Sequence, residues 1–424
     1  MLKEFFLYLV LVIGFINMIH FGFYIIGANL YDMREYNRKQ KPAKRKPGLR
    51  PLVTVLIPAH NEEMGVIRSL ESVRKNTYRK VQVIVVDDCS TDTTRKLVLR
   101  YIKDHPKLDI HLYRKQKNVG KGEAMNHALK RGVKGDLVMT LDADSLLHRR
   151  SINNAVKHFD DPLVVGMAAN VQIVDNGTIL SLLQKVEHLI GYRSKKFYTL
   201  TNSEFIVGGV ASTYRTDVIR KEKFYDTDTL TEDIGLSLKL LSNGNKHQRI
   251  IYAADVLAMT EGVQTYKALF KQRYRWKMGM LQNLNKYKHM VGSTDSKYGH
   301  MLSKYRLPMA VWSEFTLLAE PIILSYVIYL SIATQNFSAF IGAYLTITLY
   351  VMWTILPDEH MNMKSKLRVS GYAPIMYFAF YVMNMVQLVA VLRCLKNNKQ
   401  VLRKIETTGT WTSPQRAGGT VTFG

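Results

Sequence analysis

Asp87-Asp88, Asp142-Ala143-Asp144, Thr231-Glu232-Asp233 and Gln272-Arg273-Tyr274-Arg275-Trp276 occur in that order along a chain of 424 residues. Acidic residues gathered at a crevice suggest a divalent cation shared with a phosphorylated ligand. Mg²⁺ and Mn²⁺ prefer carboxylate and phosphate oxygens and often take only one or two protein carboxylates. On a strand, the side-chain alternation would point Asp142 and Asp144 to one side and Ala143 to the other. One acid would then take the metal while its neighbour addresses a sugar or ribose. Each group also has a plain structural reading. D-A-D reads as turn residues, T-E-D as a helix start with acids in its first turn, and the Gln272–Trp276 group as a basic amphipathic helix on anionic lipid. None of these readings accounts for the groups appearing together in this order.

The elements that must position these residues are legible as apolar runs. Residues 53–57 (VTVLI), 81–86 (VQVIVV), 110–113 and 137–141 (LVMTL) read as strands, with helices over 63–75, 91–103 and 122–131 between them. Such alternation implies βαβ units with right-handed crossovers in an α/β domain built on a mostly parallel, Rossmann-like sheet. Ligands of such sheets bind beyond the carboxyl ends of the strands. The polar groups fall at those ends: Pro58-Ala59-His60-Asn61-Glu62, then Asp87-Asp88, then Asp142-Ala143-Asp144. Asn118-Val119-Gly120-Lys121-Gly122 contains G-K-G without the spacing or the Ser/Thr of a P-loop, and no G-x-G-x-x-G opens the first helix. Both facts argue against an NTPase or a nicotinamide enzyme.

Residues 5–26 contain no Asp, Glu, Lys or Arg and are long enough to span a bilayer as a helix. Basic residues follow this run, and no small-residue cleavage site does, so it reads as an anchor rather than a signal peptide. By the positive-inside rule the domain after it is cytoplasmic. Further apolar stretches cover about 307–333, 337–356 and 373–395, the first interrupted by Glu314 and Glu320-Pro321. Four full spans would leave the C-terminus outside, whereas Arg393, Lys396, Lys399, Arg403, Lys404 and Arg416 favour the inside. One stretch is therefore re-entrant, interfacial or doubly crossing. The expected division is an anchor (1–30), a basic linker (31–50), a catalytic domain (51–265), an amphipathic interface region (266–306), membrane segments (307–395) and a basic tail (396–424).

The net charge is +25, and Cys89 and Cys394 are the two cysteines, too few for a disulfide framework. Residues 32–50, 267–306 and 393–416 carry net charges of +6, +9 and +5, and all three flank apolar stretches. Anionic headgroups attract such segments by about 1 kcal/mol per Lys or Arg. No helix-turn-helix, RRM or zinc pattern accompanies the charge, so membrane lipid rather than nucleic acid is the expected partner.

The four motifs together resemble the processive, membrane-embedded glycosyltransferases of family 2, the group holding cellulose, chitin, hyaluronan and bacterial poly-N-acetylglucosamine synthases. The resemblance covers nearly the whole chain. It implies a GT-A catalytic domain between N- and C-terminal membrane helices in the plasma membrane. By position it implies that Ala59, Glu62, Asp87 and Asp88 hold the uridine of a UDP-sugar, and that Lys121 and Asn126 line the donor site. It further implies that Asp142 and Asp144 hold the diphosphate through Mg²⁺ or Mn²⁺. Asp233 is the implied general base, beside Glu232 on the acceptor side. Arg275 and Gln272 would contact pyrophosphate or acceptor, and Trp276 would stack on the acceptor sugar. Gly208-Gly209-Val210-Ala211-Ser212 resembles the family's small-residue loop near the acceptor. Cys89 departs from the family's usual D-D-G-S, and a turn needing positive φ would suit it less than glycine.

Thr410-Trp411-Thr412-Ser413-Pro414-Gln415-Arg416 is similar to the W-x-S-P-x-R ending of poly-N-acetylglucosamine synthases involved in biofilm. The expectation is a metal-dependent, inverting, processive hexosyltransferase. It would use a UDP-sugar, with UDP-N-acetylglucosamine preferred, to extend a β-linked polysaccharide and help translocate it. The resemblance leaves room for a small accessory membrane subunit. Alternative readings are a hyaluronan, chitin or cellulose-type synthase, or a non-processive transferase acting on a lipid acceptor.

Overall fold

The computed structural model describes residues 2–40, 50–174, 176–358 and 361–402. The tail motif at 410–416 and residues 41–49 of the basic linker lie outside the described residues. In chain order the elements are α1 (Leu2–Gln40), β1 (Val53–Ala59), α2 (Val66–Arg74), β2 (Val81–Asp87), α3 (Thr94–Asp104), β3 (Ile110–Arg114), α4 (Lys121–Arg131), β4 (Leu137–Thr140) and β5 (Leu146–Leu147). They continue with α5 (Ser151–His158), β6 (Val164–Ile173), α6 (Ile179–Leu200), β7 (Thr213–Arg215), α7 (Thr216–Lys221), α8 (Glu232–Asn243), β8 (Arg249–Thr260) and α9 (Tyr266–Lys286). The last are α10 (Leu307–Ala333), α11 (Ser338–Ile355), α12 (Met363–Gly371), α13 (Ala373–Lys396) and α14 (Asn398–Leu402).

The strands form one sheet in the order β3-β2-β1-β4-β7-β6-β8-β5. β1 pairs in parallel with β2 and β4, β2 with β3, and β6 with β8, while β7 runs antiparallel to both neighbours. The Val- and Ile-rich runs of β1 and β2 become central strands because both sheet faces are covered. Val53, Val55 and Ile57 point to one face, against Val66 and Leu70 of α2, Val98 of α3 and Ile152 of α5. Leu56, Ile84 and Val86 point to the other, against Met125 and Leu129 of α4 and Leu236 and Leu240 of α8. Register places Ala59 opposite Asp87, and Leu56 opposite Thr140, so β1, β2 and β4 end along one edge.

One sequence expectation is corrected here. β4 stops at Thr140, and Asp142-Ala143-Asp144 forms a turn rather than continuing the strand, so alternation does not orient the two acids. The turn is held from α2. Ser69 Oγ donates to the carbonyls of Ala143 (2.8 Å) and Ser145 (2.7 Å), and a Cβ on Gly65 would lie 2.7 Å from the Ala143 carbonyl oxygen.

Among the described residues three segments are long and apolar enough to cross a bilayer: Glu4–Arg38, Leu302–Ala333 and Ala373–Lys396, with a shorter apolar helix over Phe340–Ile355. The acids that interrupt α10 are paired. Glu314 accepts from Lys277 of α9 (2.7 Å), and Glu320 accepts from Asn384 of α13 (2.8 Å). α1 runs on past its apolar part along the α/β domain, where Asp32 pairs with Lys196 (2.6 Å) and Tyr31 donates to the Tyr252 carbonyl (3.0 Å).

Candidate functional site

Lys121 is the centre of the polar cluster at the carboxyl edge of the sheet. It opens α4 immediately after Gly120, whose φ of 87° lets the loop from β3 turn sharply into the helix. That loop is fixed by Asp88, which is fully buried and accepts from the amides of Val119 (3.0 Å) and Gly120 (2.9 Å). Burial raises the Asp88 carboxyl above its ordinary range, and the two amides work against that rise.

Lys121 Nζ lies 2.5 Å from Asp142 Oδ1 and 4.0 Å from Glu232 Oε1. Burial works against its charge, but Asp142, Glu232 and Asp233 outweigh burial and raise its pKa, so it is a fixed cation. A Cβ on Gly209 would sit 2.6 Å from Lys121 Nζ and 3.8 Å from Asp233 Oδ2. The glycine therefore gives the pocket room between these two groups. Lys121, Thr140, Gly208, Gly209, Ser212, Tyr214, Tyr225, Glu232 and Asp233 line one small cleft.

Glu232 and Asp233 are the first two residues of α8. The helix start is clamped by α9. Asn283 Nδ2 donates to the Thr231 carbonyl (3.1 Å) and hydroxyl (3.0 Å), and Gln282 Oε1 accepts from the Leu230 amide (2.9 Å). Burial, then repulsion from Glu232, pushes the Asp233 carboxyl up to about 6, while Lys121, the Ile234 amide and Arg275 pull it down. Asp233 thus stays largely ionised at neutral pH yet is more basic than an ordinary aspartate.

The residues after β1 and β2 form a second group, knitted to one another. Asn61 Oδ1 accepts from the Thr91 amide (2.8 Å), Glu63 Oε2 from the Thr93 hydroxyl (2.6 Å), and Asp92 Oδ2 from the Glu63 amide (3.1 Å). Ala59 is buried and its carbonyl accepts from the Asp88 amide (2.8 Å), while the Glu62 amide donates to Thr94 Oγ1 (2.8 Å). Asp87 is buried, and its Oδ1 accepts from the Ser90 amide (2.8 Å). Its Oδ2 has no hydrogen-bond partner among the described residues. Cys89, between Asp88 and Ser90, has φ of 64°.

Asn126, expected to line the donor site, exchanges two 2.9 Å hydrogen bonds between its side-chain amide and the backbone of Tyr225, which ties α4 to the segment before α8. Asp144 is buried and accepts from Ser145 Oγ (2.9 Å). Among the described residues no group of three or more His, Cys, Asp or Glu is arranged to hold a metal ion. Asp142 and Asp144 supply two hard carboxylates in one turn, which fits a Mg²⁺ or Mn²⁺ completed by ligand phosphates.

On α9, Arg275 and Trp276 are exposed and Gln272 is half-buried. Arg275 lies close enough for its charge to act on Asp233. Gln272 and Trp276 are engaged by Arg273, a residue the sequence reading left without a role. The structure thus brings Lys121, Asp142, Glu232, Asp233 and Arg275 together. It sets Ala59, Glu62, Asp87 and Asp88 in the adjoining loops. Ser69 and Asn283, which hold the acids in place, were also missed, whereas Gly209 falls in the small-residue loop that the resemblance had marked.

Residues 54–222 match the family model described as glycosyl transferase family 2. Over 263 residues the chain is 29% identical to a poly-beta-1,6-N-acetyl-D-glucosamine synthase of Staphylococcus aureus, covering 61% of this chain and 62% of that one. A second such synthase, from Staphylococcus epidermidis, is 27% identical over 230 residues, 54% of each chain. These matches span less than two thirds of the relatives' own length. Among solved structures, a mannosyltransferase from Pyrobaculum calidifontis, in complex with GDP-Man and Mn²⁺, superposes with a TM-score of 0.58 at 23% identity. That match covers 92% of this chain and 99% of the other, and shows a shared fold. The match at residues 54–222 and the superposition are in keeping with the GT-A type of α/β fold that the sequence resemblance implied.

Proposed function

We propose that the protein is an inverting, UDP-sugar-dependent hexosyltransferase that extends a β-linked polysaccharide, with N-acetylglucosamine as the unit transferred. The observation that carries this reading is the cluster in which Lys121 stands between Asp142 and the Glu232-Asp233 pair, beside Gly209. The sugar identity is supported by the names of the staphylococcal relatives and by the tail resemblance.

In this reading the acceptor hydroxyl attacks the anomeric carbon while the bond to the UDP oxygen breaks. The leaving group departs with the electron pair and the hydroxyl proton passes to an Asp233 carboxylate oxygen. One displacement converts an α-linked donor into a β-linked product. General-base assistance of this kind contributes on the order of 10²–10⁴ in rate. Asp142 and Asp144 would hold Mg²⁺ or Mn²⁺, which when bound offsets the charge developing on the diphosphate. Lys121 and Arg275 add fixed positive charge on the same side. Asp87 Oδ2, which lies 4.0 Å from Arg114 Nε and has no hydrogen-bond partner among the described residues, is suited to accept from a ribose hydroxyl or uracil N–H. Trp276 offers an aromatic face to the C–H face of the acceptor sugar.

We read α1, α10 and α13 as membrane spans and the α/β domain as cytoplasmic, in the plasma membrane. Both Lys277–Glu314 and the stacking of Arg393 on Tyr274 (5.1 Å) bring α10's first turns and α13's last turns to the same helix, α9. Gln282 Nε2 also donates to the Gln400 carbonyl (3.0 Å) beyond α13. The chain end after α13 then lies on the catalytic side. A chain end on that side agrees with the basic residues of the tail, and in this reading α11 with α12 enters the membrane without crossing it.

The test is Asp233→Asn in native membranes. Polymer synthesis should be lost while UDP binding persists. An active Asp233→Asn enzyme overturns the base assignment.

A further inference from the structure

We infer that Arg273, held by Glu187, is a positioning residue that fixes the ring of Trp276 for the acceptor sugar. The inference rests on the reading of Trp276 as the acceptor platform and adds a residue to it. Arg273 and Trp276 are three apart on α9 and so share a helix face. Arg273 is 3% exposed, whereas Trp276 is 37% exposed. Substrate therefore meets the indole and not the guanidinium beneath it.

That guanidinium makes three contacts, and its Nε has no hydrogen-bond partner among the described residues. Its centre lies 4.3 Å from the centroid of the Trp276 ring. Nη2 donates to Glu187 Oε2 on α6 (2.5 Å), and Nη1 donates to Gln272 Oε1 (3.3 Å). A planar group with donors along its rim and a weakly hydrated face can do all three, whereas a lysine ammonium is a compact point charge with no face to stack. The ring is thus gripped on one side by a cation–π contact whose cation is itself anchored in a second helix. A ring already fixed in place loses less conformational freedom when a sugar stacks on its other side. The same arginine orients Gln272, so both outer residues of the motif depend on a residue that touches no substrate.

The experiment is a double-mutant cycle on the full-length protein in membranes, using Trp276→Ala, Arg273→Lys and the pair. The readouts are the KM for a β-linked N-acetylglucosamine oligosaccharide, the product length distribution, the KM for UDP-N-acetylglucosamine and the melting temperature. Trp276→Ala should raise the acceptor KM by about five- to tenfold, the scale of one aromatic contact. Arg273→Lys should raise it about two- to fivefold and shorten the product, with a smaller change in donor KM. In the Trp276→Ala background Arg273→Lys should add nothing to the acceptor KM, because the two residues act as one unit.

An undiminished Arg273→Lys effect without the tryptophan overturns the positioning role, and so does a normal acceptor KM in Arg273→Lys when Trp276→Ala raises it. A normal acceptor KM and product length in Trp276→Ala would instead sink the platform reading itself. Should Arg273→Lys lose its melting transition, Glu187→Gln runs the same cycle. It keeps the acceptor oxygen and removes the charge, and it overturns the proposal if its acceptor KM is normal.

Discussion

Replacing Lys121 by methionine removes the cation that stands between Asp142 and Glu232, beside Asp233, while keeping an aliphatic side chain of similar length. Its ammonium is 2.5 Å from Asp142 and 4.0 Å from Glu232, and its charge lowers the pKa of Asp233. A nearby opposite charge shifts a carboxyl by about 1–3 units, and Arg275 still acts on Asp233, so removing Lys121 is expected to raise the Asp233 pKa by about 1–2 units. Asp233 would move from about 6 to roughly 7–8. A base is active when deprotonated, so wild-type kcat/KM should fall as pH drops through about 6. In Lys121→Met the same fall should be centred roughly 1–2 pH units higher. At pH 7 the ionised fraction of Asp233 then drops by about two- to tenfold, and it recovers by about pH 9. The assay is UDP release from membranes at saturating metal across pH 5–9.5. A Lys121→Met profile whose acid limb is unmoved would refute the coupling of Lys121 to the base.

Cys89 holds φ of 64° beside Asp88, a conformation costing about 1–2 kcal/mol for a residue with a Cβ, against roughly 0.5–1 kcal/mol of chain entropy for glycine. Cys89→Gly should therefore leave the melting temperature unchanged or raise it by about 1–3 °C, as read in a thermal-shift measurement. Asn283→Ala strips the buried hydrogen bonds to Thr231. It should cost about 1–3 kcal/mol and lower kcat more than donor KM, because the start of α8 carries Asp233. A cysteine at Lys399, in a Cys89→Ser/Cys394→Ser background, should react with an impermeant maleimide in inside-out vesicles and not in right-side-out ones. The reverse pattern would place the chain end outside.

The catalytic half of the fold is legible because its strands are short, continuous apolar runs and its acids sit where those runs stop. Periodicity alone found β1 to β4 and the helices between them. It failed one residue past β4, because the turn at Asp142 is imposed by Ser69 of α2 and by Gly65 just before that helix, which are distant in sequence. The engagement of Asn126 with Tyr225 was hidden for a related reason. A motif shows which residues accompany the site, but only the partner, here the backbone of Tyr225, shows whether a side chain is already engaged. The acids within α10 looked like breaks in a span, since their partners Lys277 and Asn384 come from other helices. Cys89 was flagged by its type alone, and its positive φ bears out the concern that glycine suits that turn better.

The central claim is that the cleft around Lys121, Asp142 and Asp233 transfers N-acetylglucosamine from UDP to a growing polysaccharide. The direct measurement supplies membranes bearing the wild-type chain with UDP-N-acetylglucosamine and Mg²⁺ or Mn²⁺, with the Asp233→Asn chain as control, and determines product size and anomeric linkage. The account predicts a β-linked N-acetylglucosamine polymer that requires both the metal and Asp233. A single glycosylated lipid with no polymer, or an α-linked product, would contradict it.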